Sequence, residues 1–144
     1  MNFIDTADVY GFGHSEEVLF PMALKYGTGV IVRIPLLVGL LSGKFSSDTA
    51  FGENDHRRNN LSPEKLIKYI EGFNLLKPVF EKFPDYSPAQ LSLRFCPSQP
   101  ACHVVIPGGK TERQVMENVV AAEMDNIPFE DFAKSDPPSP LKGG

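Results

Sequence analysis

Three short runs rich in apolar residues divide the chain: residues 2–7 ahead of the glycine-rich stretch Tyr10 to His14, residues 30–34 before Pro35, and residues 103–106 before Pro107-Gly108-Gly109. Short apolar runs, β-branched in the second and third, with turn residues at their ends predict buried strands. Elsewhere the apolar period is helical. Ser62-Pro63-Glu64 supplies an N-cap and a first-turn proline, and Leu66, Ile70, Phe73 and Phe80 follow on one stripe, in a helix that Pro78 kinks or ends. Ser87-Pro88-Ala89-Gln90 is a capping box ahead of Leu91, Leu93 and Phe95, with Pro97 as the stop. Thr111 and Gln114 make another, and Val115, Val119 and Ala122 form the expected buried stripe of the last helix.

The pattern conflicts with itself only near the start. Ser15 offers an N-cap and Glu16 and Glu17 suit a first turn, yet Pro21 arrives too early for a helix of ordinary length. A second start at Pro21, running through Tyr26 to Gly27, removes the conflict. Residues 39–60 read as a long loop, which in a compact domain is a functional or mobile segment. Strands that lead into helices through glycine-rich loops predict an α/β protein with parallel pairing. The tail from Ser135 to Gly144 has too little apolar content to order itself.

Composition narrows the function more than the fold. A chain of 144 residues with 42% hydrophobic content has the length of one domain. The net charge is -4 and Arg57-Arg58 is the lone basic doublet, which argues against nucleic acid or an anionic membrane as partner. No apolar run nears the roughly 18 to 20 residues needed to cross a bilayer, and the N-terminus lacks the pattern of a signal peptide, so cytoplasm is the expected compartment. Cys96 and Cys102 have neither the number of a disulfide scaffold nor zinc spacing and read as reduced packing residues. His14, His56 and His103 are scattered without metal-ligand spacing.

Chemistry concentrates in three places. Ile106-Pro107-Gly108-Gly109-Lys110-Thr111 runs into a helix start, where exposed N–H groups and a lysine suit a phosphate; a plain strand-to-helix turn explains the same spacing. Gly39-Leu40-Leu41-Ser42-Gly43-Lys44 is glycine-rich but departs from the nucleoside-triphosphatase loop. Asp5 and Tyr10 put a carboxylate and a phenol at the carboxyl end of the first strand, the side where α/β proteins bind ligands, although a capped turn and a packed ring fit that spacing too.

Together these stretches resemble the aldo-keto reductases, NADP-dependent (β/α)8-barrel oxidoreductases. The residues that carry the likeness are Asp5-Thr6-Ala7-Asp8-Val9-Tyr10-Gly11 with Gly13-His14-Ser15-Glu16-Glu17, then Gly29 to Pro35-Leu36 and Gly39 to Phe45, then Val105 to Thr111 with Gln114, Glu117 and Asn118. The resemblance implies that Asp5 and Tyr10 are members of a catalytic tetrad acting on a small-molecule carbonyl substrate. It implies further that Pro35, Leu36, Gly39 and Lys44 lie along the dinucleotide, and that Gly108, Lys110, Gln114, Glu117 and Asn118 hold its adenosine end, with Lys110 on the 2′-phosphate. Departures are Leu37 and Val38, where small residues are common in the family, and Cys96-Pro97, which interrupts a helix.

The likeness spans residues 1–134 as a single incomplete domain with a junction near residues 18–21, where the pattern conflict lies. The first block resembles the second barrel strand and its helix, and everything from Pro21 on resembles the region from the sixth helix. The expected fold is therefore a partial barrel of about three parallel strands with flanking helices, with 135–144 a disordered tail. The strands that carry the tetrad's lysine and histidine have no counterpart. A lone carboxylate beside a phenol hinders proton donation, so catalysis is expected to be impaired. The alternatives are a non-catalytic NADP(H)- or nucleotide-binding remnant and an interaction subunit that self-associates through open sheet edges.

Overall fold

The computed structural model describes residues 2–125, 127 and 128. Three parallel strands, β1 (Phe3–Thr6), β2 (Gly29–Arg33) and β3 (Val104–Ile106), form one sheet in that order. Asp5 lies opposite Ile31 and Arg33 opposite Ile106. Side chains alternate along a strand and partners share a face, so Ile4, Thr6, Val30, Val32 and Val105 project to one side. Phe3, Asp5, Ile31, Arg33, Val104 and Ile106 project to the other.

Only the first side is covered. Thr6 and Val30 are fully buried, and Val30 and Val32 pack with Ala23, Cys102, Leu19 and Phe20. On the other side Phe3, Val104 and Ile106 are exposed, because no element among the described residues lies over them. The strands are thus half-buried rather than buried, and β3 least so. The sequence could not reveal this, since an apolar run looks the same whether one face or two are covered.

The helix that follows β1 also departs from expectation. α1 (His14–Tyr26) runs unbroken through Pro21, starting after Gly13 at φ 88° rather than at Ser15, whose hydroxyl instead lies 3.2 Å from that of Thr6. Pro21 deprives the Glu17 carbonyl of its partner, but both residues are exposed, so that carbonyl is open to solvent. Gly27, at φ 63°, ends the helix and donates its N–H to the Ala23 carbonyl, as expected of a terminating glycine.

The stretch expected to be a loop from 39 to 60 holds a 3-10 turn over Leu37–Ser42 and a short helix, α2 (Arg57–Asn60). α3 (Pro63–Leu75) is capped by Ser62, which accepts from the Lys65 N–H. Pro78 ends the stripe by opening a new turn, α4 (Lys77–Phe80), and the Phe73 and Phe80 rings meet at 5.3 Å. α5 (Pro88–Phe95) has the full reciprocal capping box of Ser87 and Gln90, and Pro97 follows in a 3-10 turn. Val79, Leu91, Leu93, Ala121, Met124 and Ile127 form the larger core, with Leu36 and Val105 against it.

α6 (Glu112–Glu123) is rotated from its apolar stripe. Val115, Val119 and Ala122 are exposed, while Gln114, Glu117, Asn118 and Ala121 face inward. Hydrogen bonds decide the orientation. Gln114 Oε1 accepts the Lys110 N–H at 2.7 Å, Asn118 Nδ2 donates to the Gly108 carbonyl at 3.3 Å, and Gln90 Nε2 donates to the Glu117 carbonyl at 3.5 Å. Thr111 caps the helix, but Gln114 serves Lys110 instead of completing a capping box. The expected disordered tail lies outside the described residues.

Candidate functional site

Parallel pairing brings the loops after β1, β2 and β3 to one end of the sheet. All three sequence blocks meet there. Asp5 sits next to the end of β1, on the open face. Tyr10 begins a 3-10 turn, Tyr10–Gly13, just beyond it. Between them comes Arg33, the last residue of β2: its Nη1 donates to Tyr10 Oη at 2.6 Å and lies 3.6 Å from Asp5 Oδ2. The carboxylate and phenol are therefore joined through a cation. Sequence reading missed Arg33 because the family resemblance implies a lysine as the cation and places it on another strand. The available signal was a charge at the carboxyl end of an otherwise apolar strand.

Beneath this cluster lies a second, uncharitable to charge. Burial pushes the Asp8 carboxyl upward against opposing backbone N–H groups, and its Oδ1 is buried without a hydrogen-bond partner among the described residues. Burial and the nearby Asp8 also push Glu16 upward. The Cys96 thiol is pushed up to about 12, first by burial and then by Cys102 and the carboxylates, and Cys102 to about 11 by burial and Glu16. Both cysteines are free, as the sequence suggested, and both resist ionisation. Among the described residues no cluster of His, Cys, Asp and Glu could hold a metal, and no helix is long and apolar enough to cross a membrane.

The loop after β2 is strained and braced. Ile34, Leu37 and Val38 adopt φ values of 55°, 47° and 51°, which cost a β-branched residue most. The Leu36 carbonyl accepts from Gly39 N at 2.8 Å and Leu41 N at 3.3 Å, while its side chain packs on the larger core; Pro35 is half-buried beside it. Arg57 holds the outside of the turn. It donates to the Val38 carbonyl at 3.3 Å, pairs through two nitrogens with Asp55, and lies over the rings of Phe45 (5.2 Å) and Phe51 (4.9 Å). That pairing holds the Asp55 carboxyl far below the usual carboxylate range and raises Arg57.

Gly39, at φ 93°, opens a cradle. A Cβ there would stand 3.5 Å from Lys44 Nζ and 3.7 Å from Arg57 Nη1, so two cations converge where a side chain is missing. Such a donor set fits the phosphates of a dinucleotide. Lys44 also lies 5.0 Å from the Phe45 ring centroid.

The loop after β3 presents Gly108, Gly109 and Lys110 at the start of α6, with nothing within 4 Å of where a Gly108 Cβ would be. Lys110 is exposed and its side chain has no partner among the described residues. Gln114 and Asn118 fix the backbone of that loop, and Glu117 pairs with Arg113 at 3.3 Å. β2 and β3 are neighbours, and the Leu37–Ser42 turn and α6 both pack on α5, which sets the two loops on one support.

Comparison with known proteins gives the lineage. A profile of the Aldo/keto reductase family matches residues 17–137. A probable voltage-gated potassium channel subunit beta of Oryza sativa subsp. japonica is 32% identical over 120 residues, 79% of this chain and 35% of that protein. An aldo-keto reductase of Strobilurus tenacellus is 32% identical over 108 residues, 74% of this chain and 32% of that protein. The chain thus spans about a third of the length of the curated relatives it matches. Among solved structures, a glycerol dehydrogenase of Gluconobacter oxydans superposes with a TM-score of 0.78 at 23% identity, over 93% of this chain and 41% of that one, a likeness of fold. The holo form of an aldo-keto reductase from Bacillus halodurans gives 0.52 at 26% identity, over 84% and 38%. Three parallel strands, their carboxyl-end loops and the family match over residues 17–137 agree: the chain belongs to the aldo/keto reductase family.

Proposed function

We propose that this chain binds NADP(H) in a single site built from the loops after β2 and β3, and that the site serves reduction of a small aldehyde or ketone. The observation that carries the reading is the convergence of Lys44 and Arg57 on the open side of Gly39, beside a second glycine loop that presents Lys110 at a helix start. Pro35, Leu36, Gly39 and Lys44, with Arg57 added, lie along the phosphates. Gly108, Lys110, Gln114, Glu117 and Asn118 form the adenosine end. Lys110 meets the 2′-phosphate as a point charge on the positive end of α6. When bound, the reduced nicotinamide supplies a hydride to the carbonyl carbon.

Asp5 and Tyr10 are the chain's own contribution to proton transfer. The functional unit of this reading is residues 1–134, one incomplete barrel domain with a junction near residues 18–21; the family match covers residues 17–137, across that junction. Fluorescence titration with NADPH and NADH tests the cofactor reading. Wild type is expected to bind NADPH saturably, and Lys110→Ala to weaken NADPH about tenfold while leaving NADH unchanged, the size of one lost charge-assisted contact. Absence of saturable NADPH binding would sink the reading.

A further inference from the structure

We infer that Arg33 is the positioning residue for Tyr10: it fixes which way the phenol hydroxyl donates and places a cation against the oxygen that loses the proton. The inference rests on the carbonyl-reducing reading above. Its ground is the geometry at the open end of β1 and β2, where Arg33 Nη1 donates to Tyr10 Oη at 2.6 Å and lies 3.6 Å from Asp5 Oδ2.

A phenol has one O–H to donate and lone pairs that accept, whereas a guanidinium has donors and no acceptor at all. At the Arg33 contact the Tyr10 oxygen can therefore only accept. Its single O–H must point elsewhere, toward the uncovered face of the sheet, where a carbonyl oxygen can take it. With water as neighbour the phenol would donate or accept indifferently. With a lone carboxylate as neighbour it would donate there, and Asp5 would capture the proton donor. Arg33 prevents this by standing between the two, tethered by Asp5 on one side and donating to Tyr10 on the other.

The same contact acts during the reaction. With a bound reduced nicotinamide to supply hydride to the carbonyl carbon, the Tyr10 O–H would pass its proton to the substrate oxygen as the carbonyl π pair moves there. The substrate would become the alcohol, balanced by two-electron oxidation of the nicotinamide, and the Tyr10 oxygen, left negative, would regain a proton from water. That negative charge appears against a donor already aimed at it, so stabilising it needs no rearrangement. Arg33 is half exposed, as is Asp5, so solvent screens part of the effect. The cation beside the phenol thus comes from the end of β2.

Two readouts test this. The first needs no turnover: in ¹⁵N-edited spectra the Arg33 Nε–H resonance, assigned by its loss in Arg33→Met, shifts on Tyr10→Phe. An unmoved resonance contradicts the contact. The second follows 4-nitrobenzaldehyde reduction at saturating NADPH, with binding measured separately by titration. Wild type turns over, Tyr10→Phe does not, Arg33→Met lowers kcat at least about tenfold with KM little changed, and Arg33→Lys recovers part of the loss. If Arg33→Met fails to fold by circular dichroism, Arg33→Gln decides, since it keeps a polar side chain there and removes the charge: a lower kcat at unchanged KM supports the inference and a wild-type kcat overturns it. A wild-type kcat in Arg33→Met overturns the Arg33 role alone, whereas NADPH binding without aldehyde reduction removes the carbonyl-reducing reading and the Arg33 role with it. Absence of NADPH binding removes the cofactor reading, and this inference with it.

Discussion

Asp8 is held where a carboxylate is least at ease: partly desolvated, near Glu16, and with one oxygen buried and unpartnered among the described residues. Its proton is bound more tightly in the folded chain than in the unfolded one. The destabilisation is therefore absent below the unfolded carboxyl value near 4, grows as pH rises, and is complete above the raised folded value. Asp8→Asn should accordingly raise the melting temperature at pH 7 by about 2 °C, a modest gain because the group is only partly buried, and the gain should shrink toward pH 4. Thermal unfolding at the two pH values checks it; an equal gain at both would point to packing instead. Single residues were unevenly legible. Asp5, Tyr10 and Lys110 were visible because each stands at a strand end or a helix start. Arg33 and Arg57 were not, because their partners, Tyr10 and the Val38 carbonyl, are 23 and 19 residues away.

Elements followed their capping signals closely. Ser62, Ser87 and Thr111 each accept from the third residue onward, as their spacing predicted. Two features failed for tertiary reasons. Pro21 does not stop α1, because its lost bond faces water, and α6 turns its valines outward because Gln114 and Asn118 are tied to the loop after β3. The segment from 44 to 57 is held in a similar way, by one guanidinium gripping Asp55, two rings and a strained turn. Arg57→Met removes both that brace and one of the two cations over Gly39. It should make residues 44–56 the first site of limited proteolysis and weaken NADPH about tenfold. Unchanged cleavage and affinity would show that the loop is held by other means.

At the scale of the molecule, the sheet's two faces differ completely. One is sealed by Ala23, Leu19 and Phe20; the other exposes Phe3, Val104 and Ile106 beside Asp5 and Arg33. In a closed barrel that second face would be interior, which is why the strands read as buried from their sequence alone. The parallel α/β class and the family were legible, since both depend on local runs and motifs. The open face was not, since it depends on what lies across from it. The central proposal is that two loops, separated in sequence but adjacent through β2 and β3, make one dinucleotide site. Hydrogen–deuterium exchange with and without saturating NADPH tests this most directly. The account predicts that the cofactor protects residues 36–44 and 108–118 together, at the same ligand concentration, while α3 is unchanged. Protection of one loop without the other, or of neither, would contradict it.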